Sequence, residues 1–267
     1  MNKLETALRD ISEMDRLAVK GSPVHGLSPL AKLLVTVAYI IVTVSFSKYQ
    51  LGGLLMMIIY PLVMFSVSGI SIGTCLYKLR IVLPLVVFVG LFNPIFDKAP
   101  MFRIGGVVVS SGVVSMITLM LKGVFCLMAS FLLIATTPMD SICAALRKLH
   151  VPSMLVTLLL LTYRYIGVLT QEAAVMSDAY ALRAPGQKGI HISAWGSFTG
   201  QLLLRSMDRA EDLYASMQIR GYHGEFPYAK SSPFGAKEAV FTIVCIGVFV
   251  LLRFVDVATL VGNLFVR

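Results

Sequence analysis

Charge is what this sequence has least of. Asp, Glu, Lys and Arg make up 14% of its 267 residues, against 57% hydrophobic residues and a mean hydropathy of +0.82. That balance excludes a single aqueous core, because a fold in water would leave most of the apolar surface wet. A bilayer about 30 Å thick takes apolar spans of about 20 residues, provided their backbone hydrogen bonds close internally as helices. The chain therefore reads as an all-α, polytopic membrane protein. Cysteine is also scarce: Cys75, Cys126, Cys143 and Cys245 stand far apart with no CxxC pair, which favours small buried hydrophobes over a disulfide or metal framework. His25, His150, His191 and His223 are equally scattered, and no site is built on them. The chain lacks a GxxxxGK[ST] phosphate loop, so P-loop ATP hydrolysis is excluded. It also lacks HExxH, GxSxG and paired intramembrane aspartates, and GSFTG at Gly196 to Gly200 has its serine in the wrong place, which argues against an intramembrane hydrolase.

What is there is a series of apolar runs: about Leu30 to Ser47, Leu51 to Ile70, Ile81 to Phe96 and Gly112 to Thr136, with a further run from about Ala239 to Leu252. Pro61 and Pro84 fall inside the second and third runs, where each removes a helical hydrogen bond and predicts a kink. Recurrent glycines such as Gly52, Gly53, Gly69 and Gly73 allow close helix approach. The stretch DKAPMFRIGGVVVSS is expected to be an irregular loop. No run carries a buried acid, and this absence of mid-membrane charge argues against a self-sufficient permease. The net charge of +9 fits cytoplasmic loops held inside better than it fits nucleic acid.

Lys3, Arg9, Arg16, Lys20 and Lys32 place the amino terminus in the cytoplasm, and parity returns Lys78, Arg80, Arg147 and Lys148 there. The opening segment is not a signal peptide; Leu4, Ala7, Leu8, Ile11 and Met14 give it the spacing of a short amphipathic helix. The apolar part of VPSMLVTLLLLTY, Val151 to Tyr163, is too short to span and reads as a helix along the inner membrane face. The expected organisation is an N-terminal segment 1–29, four spans over 30–136, a cytoplasmic helical region 137–233 and a C-terminal span 234–267, with about five transmembrane helices in all.

The cytoplasmic region holds two related stretches, MSDAYALRAPG (Met176 to Gly186) and LYASMQIRGYHG (Leu213 to Gly224). Each ends a breaker-free helical pattern with one arginine beside small residues: Ala181, Arg183 and Ala184 in the first, Ser216, Arg220 and Gly221 in the second. Two readings stand. Arg183 and Arg220 occupy last turns, where a cation stabilises its own helix by under about 1 kcal/mol. Alternatively, the duplicated guanidinium at a small-residue helix end docks into two equivalent acidic clefts, since an arginine fork grips carboxylate bidentately. Duplication favours docking.

The stretches SPVHGLSPLAKLL, TTPMDSICAALRKLHVP, LTYRYIGVLTQEAAVMSDAYALRA and RSMDRAEDLYASMQIRGY resemble, in order and over nearly the whole chain, the transmembrane T component of energy-coupling factor (ECF) transporters, with the opening closest to the cobalt-transport, CbiQ-type branch. The resemblance implies a non-catalytic subunit, without cofactor or metal site of its own, in a prokaryotic plasma membrane. Its partners would be two ABC-type ATPase subunits, which Ala181, Arg183 and Ala184 and Ser216, Arg220 and Gly221 would contact, a substrate-binding membrane subunit and the lipid bilayer. Ala184 stands where the family often has glycine, and Ser216, Gln218 and Ile219 depart from its second motif. Cobalt or nickel uptake is the implied task; a vitamin importer and a stand-alone permease are the alternatives.

Overall fold

The computed structural model describes residues 13–19, 21–48, 50–96, 100–104, 107–187, 189–224 and 235–254. The elements are α1 (Pro29–Ser45), α2 (Leu51–Met56), α3 (Ile59–Ser68), α4 (Ile72–Leu79), α5 (Leu83–Leu91), α6 (Asn93–Phe96), β1 (Pro100–Ile104), β2 (Val107–Ser110), α7 (Ser111–Thr136), α8 (Met139–Lys148), α9 (Ser153–Arg183), α10 (Ile192–Ile219) and α11 (Ala236–Phe254). The protein is a helical, polytopic membrane protein with one short antiparallel hairpin, β1 to β2. That hairpin corrects the expected irregular loop: β-branched Val107, Val108 and Val109 favour extended backbone.

The chain divides into two compact units, residues 17–138 with 232–267, called the bundle unit here, and residues 1–16 with 139–231, the hairpin unit. In the bundle unit, α1 packs on α7 and α11. Its core holds Val35, Tyr39, Phe46, Leu54, Met57, Phe125, Ala129 and Phe249. Tyr39, Tyr60 and Phe249 form an aromatic trio with ring centroids 4.8 to 5.3 Å apart. The Tyr39 hydroxyl donates to the Met57 carbonyl at 2.9 Å, in the break between α2 and α3, where the helical ladder is interrupted.

The prolines act at these breaks rather than by kinking a continuous helix. Pro61 is the third residue of α3 and Pro84 the second of α5, first-turn positions where a missing N–H costs nothing. The expected third span, Ile81 to Phe96, falls on α5 and α6 instead of one helix, and α5 pairs with the preceding α4 across a 60° bend at Arg80 to Val82.

By length and composition three stretches among the described residues can cross a membrane, Leu51–Ser68, α7 and α9, and the α4–α5 pair makes a fourth. The expected count of about five includes α1, an apolar helix of 17 residues, and α11, which carries Lys237, Glu238 and Arg253, but leaves out α9. The apolar run after Val151 does not end near Tyr163; it continues as one helix of 31 residues to Arg183. The amphipathic spacing of Leu4 to Ile11 and everything after Phe254 lie outside the described residues.

Candidate functional site

The hairpin unit places the duplicated arginine motifs. The two helices run antiparallel, meeting at Tyr180 and His191 near the turn and at Glu172 and Arg205 farther along, and residues Ser153 to Leu169 of α9 and Ser206 to Leu213 of α10 line one cleft. Near the turn, the Tyr180 hydroxyl donates to Gln187 Oε1 at 2.9 Å and accepts the His191 N–H at 3.4 Å, which folds the linker onto the last turn of α9. The His191 side chain then caps α10, its Nδ1 accepting from the Ser193 N–H. Farther down, Arg205 pairs with Glu172 across the two helices. In the sequence both belong to a set of charges on these helices, with Asp178, Asp208, Glu211, Asp212, Arg164 and Arg209, that can pair to hold register or stand as weak surface pairs.

Both helix ends are closed by backbone geometry. Arg183 is the last residue of α9, and the Ala184 N–H returns to Tyr180 O at 3.0 Å. Ala184, Pro185, Gly186 and Gln187 then form a turn closed by the Gln187 N–H on Ala184 O, with Gly186 at φ +97°, the type II pattern of Pro followed by Gly. At the end of α10 the Gly221 N–H reaches Gln218 O at 2.9 Å and the Tyr222 N–H reaches Met217 O at 3.0 Å, with Gly221 at φ +79°. That pair of bonds is a Schellman cap. Arg220 is the capping residue itself, and its N–H bonds Ser216 O at 3.2 Å.

At the end of α10 the cap takes up the Ser216, Met217 and Gln218 carbonyls internally, without the Arg220 guanidinium. Ala181, Arg183, Ser216, Arg220 and Gly221 are exposed and Ala184 is half-buried. The neighbours are bare as well: Leu182 is 84% and Ile219 88% exposed, large apolar side chains with no cover in this chain. The structure brings Ala181, Arg183 and Ala184 together at one end of the hairpin and Ser216, Arg220 and Gly221 together at the other. It does not bring the two sets to each other. The 28 residues of α10 separate them by about 40 Å at 1.5 Å per residue.

Between those ends lies the cleft, about 750 Å³, walled by Met154, Leu158, Leu161, Tyr165, Ile166 and Leu213 with Arg209 and Ser206 among its few polar groups. Its only sign in the sequence is the leucine run Leu158 to Leu161. Among the described residues no three His, Cys, Asp or Glu side chains converge as metal ligands.

A family profile described as CbiQ, cobalt transport protein, matches residues 20–229. The chain belongs to the CbiQ family. It is 25% identical to the energy-coupling factor transporter transmembrane protein EcfT of Lactococcus lactis, over 79% of this chain and 84% of that one. It is 33% identical to the cobalt transport protein CbiQ of Rhodobacter capsulatus over 38% of this chain and 42% of that one, and 32% identical to the nickel permease LarQ of Lactiplantibacillus plantarum over 34% and 33%. Against several curated relatives the chain spans half their length or less. Both arginine motifs of this CbiQ-family chain lie inside the matched segment.

Proposed function

We propose that this chain is the energy-coupling membrane subunit of an ECF-type ABC importer for cobalt or nickel. It would sit in a prokaryotic plasma membrane with its helical hairpin on the cytoplasmic side. The observation that carries the reading is the pair of exposed, backbone-capped arginine ends on one hairpin, Arg183 and Arg220, about 40 Å apart along α10. Two separate ends suit two copies of one partner, each offering an acidic cleft to a guanidinium and close backbone approach to Ala184 or Gly221.

The work is mechanical. Two ATPase subunits closing on ATP would push the hairpin ends, and the Glu172–Arg205 pair would hold the helices in register under that load. The apolar cleft between α9 and α10 supplies the face through which displacement passes to a separate substrate-binding membrane subunit. The names of the cobalt and nickel relatives support a transition-metal substrate; the EcfT relative's name states no substrate, so a vitamin importer stands as the second reading.

The test is co-purification from detergent-solubilised membranes, comparing the native chain with Arg183→Glu plus Arg220→Glu by mass spectrometry. The native chain is expected to retain two ATPase subunits, and the charge-reversed chain, still inserted and folded, to lose them. Equal retention would reduce both arginines to ordinary helix ends.

A further inference from the structure

The carboxyl end of α1 gathers two cations from other helices. Arg253 of α11 donates to Ser45 O at 3.1 Å and to Gln50 Oε1 at 3.0 Å, and its guanidinium lies 4.9 Å from the centre of the Phe46 ring. Lys122 of α7 donates to Val44 O at 3.0 Å and to Phe46 O. A helix carboxyl end carries about half a negative charge, so two full cations overcompensate it. Arginine has five N–H donors and lysine three; the bonds among the described residues use two on each. Among the described residues of the bundle unit the acid is Glu238, at the opposite end of α11, where it accepts the Gly235 N–H at 3.0 Å.

We propose that Lys122, Arg253 and Gln50 form a site for the phosphate of an anionic membrane phospholipid. Depth supports a lipid over a free ion. The 17 residues of α1 rise about 25 Å, close to the hydrocarbon thickness, so its end lies near headgroup level. Ile41 and Val44, 63% and 59% exposed, continue the apolar surface below it for the acyl chains. The guanidinium fork suits bidentate phosphate, while the ammonium adds charge. The site is independent of the coupling reading, since no residue of the hairpin unit takes part.

Native mass spectrometry of the delipidated full chain in detergent tests it, with phosphatidylglycerol, phosphatidylcholine and inorganic phosphate titrated separately and in competition. One phosphatidylglycerol is expected to bind about tenfold more tightly than phosphatidylcholine, as two basic groups near a headgroup imply. Arg253→Gln, whose amide still reaches for the Ser45 carbonyl, should cut the preference to about threefold, since Lys122 remains. Equal binding of both lipids by the native chain, a comparison that needs no variant, would overturn the site, as would an unchanged preference in Arg253→Gln. Displacement of phosphatidylglycerol by millimolar inorganic phosphate would overturn the lipid assignment in favour of a free anion.

Discussion

Lys32 and Lys122 cap each other's helices. Lys32, in the first turn of α1, donates to Thr136 O at the end of α7 at 2.8 Å, while Lys122, within α7, donates to carbonyls at the end of α1. The pair is antiparallel, so each lysine meets the negative end of the other dipole. Lys32 is 5% exposed, and its removal leaves a buried carbonyl unpaired. Lys32→Met should therefore cost about 1 to 3 kcal/mol. Thermal unfolding in detergent, at about 2 to 4 °C per kcal/mol for a chain of this size, should show a clear drop. An unchanged midpoint would mean that the bond contributes nothing.

His150 and Gly221 occupy the same position in the same motif. The end of α8 closes with Val151 N–H on Leu146 O and His150 N–H on Arg147 O, a second Schellman cap, but its left-handed residue is His150 at φ +64° rather than glycine. His150→Gly should stabilise by about 0.5 to 1 kcal/mol, whereas Gly221→Val should destabilise by 1 kcal/mol or more, roughly. The second change also displaces the Arg220 end. Unfolding midpoints moving in opposite directions, with ATPase retention falling only for Gly221→Val, is the expected pattern.

Much of this was legible because membrane physics leaves few options. Apolar runs became helices nearly where they stand, and the run from Gly112 to Thr136 matches α7 to within a residue. The helix ends at Arg183 and Arg220 were readable because Gly186 and Gly221 announce themselves. What failed depended on partners distant in sequence. Lys122 interrupts the fourth apolar run, and nothing local in the sequence shows that its acceptors come from a helix end 76 residues away. The start of α10 at Ile192 is not legible in the sequence, because Gly196 and Gly200 weaken local helix propensity that packing overrides. Tyr180 carried no signal, since a tyrosine that folds a linker looks like any other in a helix.

Cys143 gives a pH signature. It is fully buried on α8, and burial, with the Asp140 carboxylate adding to it, pushes its thiol above the ordinary range. A raised folded-state value means that the native chain holds this proton more tightly than the unfolded one. The stabilisation is complete below the unfolded thiol value and is lost as pH rises through the folded one. Maleimide labelling of Cys143, followed by peptide mass spectrometry between pH 7 and 10, should be much slower in the native chain than in denaturant at every pH. Its native pH profile should also be displaced to higher pH. Labelling at the denatured rate would contradict the buried position.

Glu172 and Arg205 offer the sharpest separation of stability from coupling. Their side chains are 28% and 54% exposed, so the pair contributes under about 1 kcal/mol to the fold. On the proposed coupling role, its place between the Arg183 and Arg220 ends would give it a larger part under load, because it ties α9 to α10 where the hairpin would have to resist sliding. Glu172→Arg alone puts two guanidinium groups together and, on the proposed function, should lower ATP-dependent cobalt or nickel uptake in vesicles reconstituted with the ATPase and substrate-binding subunits several-fold, with an unfolding midpoint close to the native one. Restoring the opposite charge with Glu172→Arg plus Arg205→Glu should recover most of the uptake. Rescue of that kind requires the pair itself, since two independent surface defects would add rather than cancel.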